Sequence, residues 1–227
     1  MLADMLRSLA GLRLTDEDGQ AHVLELRPPA THAEIQRLEE TLPAPLPEEM
    51  RAALSVTTGL ENGPLESFSL LDLEGFGLEE AFPHAYSIAH DGSGNYWVLD
   101  LLPGDGAWGP VLYACHDPPV IGYQAETIEA FLGEEEVHRI WGDPLGLLTP
   151  AGAAGSDDPV LAGFAATLPA EARIADLRRA RFGEGFAWGR FGPRTDIRRA
   201  GRERVWALIP RERTPGLLRR LFGRSTG

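Results

Sequence analysis

The run from His90 to Leu132, HDGSGNYWVLDLLPGDGAWGPVLYACHDPPVIGYQAETIEAFL, constrains the fold more than any other stretch. Asp91-Gly92-Ser93-Gly94 is turn chemistry, because glycine takes positive φ without a Cβ penalty. Tyr96 to Leu102 is aromatic and branched and reads as a strand. Alternation puts Trp97, Leu99 and Leu101 on one face and Tyr96, Val98 and Asp100 on the other. Pro103 to Gly106 breaks the run, and Val111 to His116 reads as a second strand ended by Asp117-Pro118-Pro119. A short polar bridge follows. A helix with Ile128, Phe131 and Leu132 at helical spacing closes the stretch.

Upstream, Thr31-His32-Ala33-Glu34 fits a capping box opening a helix with Ile35, Leu38 and Leu42 on one side. Pro47 suits the first turn of a second helix, where Glu48 and Glu49 favour the dipole and Met50, Ala53 and Leu54 form the apolar side. Gly59 stops it and Asn62-Gly63 turns the chain. Helix, Leu46-Pro47-Glu48-Glu49, helix, Asn-Gly, strand, Gly-Asp loop, strand and a helix ending in Phe-Leu together resemble a SUKH domain over about residues 31–133. That is the domain of the fungal cell-wall assembly regulator and of many bacterial proteins. The resemblance implies a non-enzymatic binding fold, typically an immunity protein against a toxin.

Met1 to Ala10 reads as an amphipathic helix. Leu12 to Leu14 and Val23 to Leu26 read as a hairpin around an acidic turn. Phe68 to Leu71 reads as a strand inside an otherwise loop-like Pro64 to Pro83. A Pro, Gly, Ala and Ser excess places a linker at 149–159 between a domain at 1–148 and a small α+β module at 160–227. In that module Val160 to Leu168 and Ala170 to Arg181 read as helices. Phe186 to Phe191 and Val205 to Ile209 read as strands, and Leu217 to Phe222 as a terminal helix. The expected class is α+β, a mixed or mostly antiparallel sheet with helices on one side.

All 21 basic residues are arginine, which with abundant Gly, Pro and Ala points to a high-GC bacterial coding sequence. Five arginines face 25 carboxylates up to His138, a net −20, and 16 face nine beyond it, a net +7. Such a division signals either separate partners or two parts with complementary faces. No run reaches the ~20 apolar residues of a membrane span, and Asp4 and Arg7 interrupt the N-terminal segment, so the chain reads as cytoplasmic. The single cysteine, Cys115, shares a face with Val111 and Tyr113 and reads as buried and inert.

His84, His90, Asp91, Cys115, His116 and Asp117 lack metal-site spacing, and Asp91, Asp100 and Asp105 lack the marks of an acid–base pair, so no cofactor, metal or catalytic residue is expected. Arg178, Arg179, Arg181, Arg198, Arg199, Arg202 and Arg204 form a basic cluster, but the acidic bulk of the chain argues against nucleic acid. The expected partner is a basic protein. The candidate contacts are Glu61, Glu66, Asp72, Glu74, Glu79, Glu80 and Asp100, with Tyr96 or Trp97 as an exposed anchor. The alternatives are an adaptor without a toxin partner, or a hydrolase using His and Asp of the strand-end loops. The oligomeric state stays open.

Overall fold

The computed structural model describes residues 1–15, 19–63, 65–71, 75–102, 108–116, 119–133, 143–188 and 195–211, with the side chains of 116, 143 and 144 not described. The expected helix over Leu217 to Phe222 lies outside these residues, as do the Pro103 to Gly106 break and Asp117.

The centre is an antiparallel meander. β3 (Glu25–Leu26), β4 (Gly59–Glu61), β5 (Ser67–Ser69), β6 (Ala85–His90), β7 (Asn95–Asp100), β8 (Val111–His116) and β9 (Pro119–Ala125) lie side by side in that order. The hairpin expected ahead of it is present as β1 (Arg13–Thr15) and β2 (Ala21–Val23), paired antiparallel. Alternation along β7 sends Trp97, Leu99 and Leu101 into one apolar cluster and Val98 into another. β8 does the same, with Val111, Tyr113 and Cys115 on the first side and Leu112 and Ala114 on the second.

Four helices cover the first side. α1 (Leu2–Leu9), α2 (His32–Thr41), α3 (Glu48–Leu54) and α4 (Ile128–Gly133) contribute Leu6, Leu38, Leu54 and Phe131, all buried. The α2 start is set locally: the Thr31 hydroxyl accepts from the Glu34 amide, and the Thr31 amide donates back to the Glu34 carboxylate at 2.8 Å.

The second side is covered by the C-terminal part. β11 (Arg173–Asp176), β13 (Thr195–Arg199) and β14 (Val205–Pro210) form an antiparallel sheet of order β11-β14-β13. Trp206, Ala175, Leu177 and Leu208 from this sheet and its flank join Val98, Leu112, Ala114 and Ile121 in one cluster, which Phe76, Leu78 and Phe82 complete. α5 (Pro150–Ala154) and α6 (Pro159–Ala165) pack on its outer face through Ala153, Leu161, Ile174 and Val205. The order through the molecule is therefore helices, large sheet, small sheet, helices.

β12 (Glu184–Ala187) adds to the large sheet beside β9, and β10 (Asp143–Pro144) pairs parallel to β12. Gly185 allows this: a Cβ there would meet the Ile121 carbonyl oxygen at 2.4 Å and the Gly122 Cα at 2.8 Å. Backbone approach of that kind is a recurrent reason for glycine within a strand.

Three local expectations differ from the structure. Ala170 to Arg181 holds strand β11 rather than a helix, because Ile174 and Ala175 are buried on opposite faces of a two-sided sheet. Residues 119–125 form a seven-residue strand rather than a polar bridge. The stretch expected as a linker carries α5, capped by the Thr149 hydroxyl, and the α6 cap, where Asp158 accepts from the Val160 and Leu161 amides. Small residues suit such tight helical turns as well as they suit loops.

Candidate partner-binding surface

With both broad faces of the large sheet covered, its strand ends carry the groups that reach solvent. Register decides which groups share an end. The pairs Glu25 with Glu61, Ser67 with His90, Asn95 with Cys115 and His116 with Pro119 all lie at one end. Glu25, Glu61 and Glu66 are exposed there, beside half-exposed Asp91. Glu66 lies across the β6–β7 turn, where a Cβ on Gly92 (φ +71°) would stand 3.3 Å from its Cγ.

Asp91 shapes this turn. One of its oxygens accepts from the Ser93 amide at 2.9 Å and the Asn95 amide at 3.2 Å, and the other from the Asn95 side chain at 2.5 Å. The Asn95 side-chain oxygen Oδ1 in turn accepts from the Tyr113 hydroxyl at 2.7 Å. Burial raises the Tyr113 phenol pKa well above its ordinary value, and the neighbouring Cys115 and Asp91 add to the effect, so Tyr113 stays a neutral donor.

The sequence-based candidates separate on this frame. Glu61 is exposed and 3.6 Å from Arg27 Nε. Tyr96 is half-buried, with ring centroids 6.0 Å from His90 and 6.2 Å from Phe76. Glu79 and Glu80 are exposed in the segment that leads into β6. Partial burial works against the Glu79 charge, but the amides of Glu79, Gly77 and Phe76 outweigh it and hold the carboxyl below its ordinary pKa. Its oxygen accepts from Phe76 at 2.8 Å and Gly77 at 3.1 Å, so it shapes its own loop. Asp72 and Glu74 lie outside the described residues.

Two candidates are corrected. Trp97 is 1% exposed, with its indole N–H donating to Gln124 at 3.1 Å, so it is a core residue and no surface anchor. Asp100 is fully buried and bound by Arg199, so it holds the second layer to the sheet. The reason is the same for both: β7 has no solvent face.

The basic C-terminal cluster is largely engaged within the chain. Arg178 Nη2 lies 2.7 Å from Asp158 and 2.8 Å from Asp176. Arg204 meets Glu126 at 3.0 Å, and Glu126 also accepts from Tyr123, whose phenol burial and that carboxylate push up to about 12. Arg198 lies 5.3 Å from the Phe164 ring centroid. The charge division is thus in part the complementarity of two packed layers. Among the described residues, no group of three or more His, Cys, Asp or Glu side chains is placed to hold a metal, and no helix is long and apolar enough to cross a membrane.

A covered central meander with helices on one side is an α+β architecture. Residues 29–134 match the SMI1 / KNR4 family (SUKH-1), and this part of the chain belongs to the SUKH superfamily. The match spans α2 through α4, whereas β12 and the small sheet lie beyond it. No curated protein and no solved structure matches the chain.

Proposed function

We propose that the chain is a non-enzymatic, SUKH-type immunity or regulatory protein that holds a basic protein partner on the acidic end of its large sheet. The observation that carries this reading is the grouping of Glu25, Glu61, Glu66 and Asp91 at one end of a SUKH meander. From Ala52 to His138 the chain contains no lysine or arginine, so little positive charge offsets that end. Arg27 beside Glu61 is the exception.

A toxin that cuts nucleic acid presents cationic groups to phosphate. Carboxylates spaced along a strand end imitate that phosphate and speed encounter by electrostatic steering. Tyr96 supplies an amphipathic ring at the edge of the patch, suited to an interface. Affinity capture with the full chain, followed by association kinetics against salt, tests the reading. The captured partner should be basic, and its association rate should fall steeply as salt rises. A partner whose association is indifferent to salt would sink it.

A further inference from the structure

On the helical side of the molecule, at the opposite strand end from the Glu61–Glu66 rim, lies a cleft of about 240 Å³. It opens where the first residues of α1, α3 and α4 meet Trp108. Its floor is apolar, built from Met50, Leu99 and Ile128, all buried, with half-buried Trp108 as one wall. Glu49 and Glu129 stand at its edge.

We propose that this cleft receives a lysine side chain presented by a partner protein, with the methylene stem on Leu99, Met50 and Ile128 and the ammonium between the Glu49 and Glu129 carboxylates. The site is separate from the acidic sheet end and stands or falls independently of it.

Charge and shape both select this occupant. Glu49 accepts a hydrogen bond from Glu129 and another from the Leu2 amide at 3.2 Å, and both hold its carboxyl below the ordinary value. Partial burial raises Glu129, and its contact with Glu49 raises it further. The two carboxylates meet at the edge of the cleft, a spot where a cation would be stabilised. An ammonium carries three donors on a compact head, enough for two carboxylates on different helices. A guanidinium fork fits best on one carboxylate in its own plane, and here one Glu49 oxygen is already engaged by Leu2. The Trp108 ring is placed to meet the charge or the stem. The chain itself contains no lysine, so its own side chains offer no such occupant.

The test uses the full chain and three blocked amino acids, the N-acetyl methylamides of lysine, norleucine and arginine, titrated by NMR. The lysine derivative should bind saturably in the millimolar range, and about tenfold tighter than norleucine. In the wild type its affinity should rise as pH rises through the raised Glu129 pKa, because the ammonium favours the ionised carboxylate. The Met1 amino group is the other charge acting on Glu49. Glu129→Gln should weaken lysine binding without changing norleucine binding. Equal binding of lysine and norleucine, tighter binding of arginine, no pH dependence, or no saturable shift by about 100 mM would each overturn the proposal.

Discussion

Arg199 donates two parallel hydrogen bonds to Asp100, Nη1 to Oδ1 at 2.9 Å and Nη2 to Oδ2 at 2.6 Å, across 99 positions of sequence. The side chains are 6% and 0% exposed. The remaining Arg199 donors reach the carbonyls of Glu203 at 2.8 Å, Arg202 at 2.8 Å and Leu102 at 3.2 Å, and its guanidinium lies 5.1 Å from the Trp206 ring centroid. A buried bidentate pair backed by further carbonyl acceptors is a geometric lock. It fixes where the small sheet sits on the large one, whatever its net contribution to stability.

Arg199→Ala leaves the Asp100 carboxylate buried without its partner, and should cost about 3–5 kcal/mol. Asp100→Ala should cost a similar amount. The double variant should cost less than the sum of the two, because each single change strands one charge. Urea unfolding of the four proteins measures the coupling, and additive losses would show that the pair does not act as a unit.

The two layers should unfold together. Val98, Leu112, Ala114 and Ile121 are buried beneath Trp206 and Leu208, and the Trp206 indole N–H donates to the Ala81 carbonyl at 3.0 Å. A fragment ending at residue 148 would expose that apolar face and should be insoluble or markedly less stable. Gly185→Ala probes the same docking without truncation, since the added carbon collides with the Ile121 carbonyl. Fluorescence and circular dichroism should trace one coincident transition in the full chain. A soluble, cooperatively folded 1–148 fragment would instead support independent domains on either side of 149–159.

The α2 start was legible because every partner in it is local: Thr31 and Glu34 are three residues apart, and their reciprocal hydrogen bonds are present. The two faces of β7 were legible from alternation alone. What each face meets was not. Asp100 read as a mid-strand carboxylate because nothing near it signals an arginine 99 residues away. The sequence gives no clear signal for the strands Ala85–His90 and Pro119–Ala125, since both are largely buried and lack a clean apolar–polar alternation. The acidic segment between Glu61 and Glu80 reads as one patch, and only the structure shows that Glu61 and Glu66 share the end of the Asp91 turn while Glu79 is taken up by the amides of its own loop.

The Glu49–Glu129 pair should leave its mark on stability against pH. Glu49, held below its ordinary pKa by Glu129 and the Leu2 amide, stabilises the fold above the usual glutamate value of 4.5, and this is lost as pH falls through its lowered pKa. Glu129, raised by burial and by Glu49, acts the other way. Its contribution is complete below 4.5 and is lost as pH rises through its raised pKa. Glu129→Gln should therefore flatten the decline on the alkaline side of the ordinary glutamate range and leave the acid limb in place. Thermal melting at a series of pH values checks this, and an unchanged alkaline limb would show that the fold does not raise the Glu129 pKa.

The last prediction separates Glu61 and Glu66 from the segment that leads into β6. Glu66 lies beside the Asp91 turn, with Glu61 at the same strand end, whereas Glu79 is occupied by the amides of Phe76 and Gly77. If the partner docks on the Glu61–Glu66 rim, Glu61→Gln with Glu66→Gln should slow its association by about tenfold at low salt. Glu80 is not part of that rim, so Glu80→Gln should slow association less. All three side chains are exposed, so melting temperatures should stay close to that of the parent. Tyr96→Ala should speed dissociation more than it slows association, as expected for an aromatic contact formed after encounter. Stopped-flow kinetics with the captured partner reads all three effects. Equal slowing by Glu80→Gln would mean that overall negative charge steers the encounter without a defined rim. A Tyr96 variant with an unchanged dissociation rate would move the contact away from the β6–β7 turn.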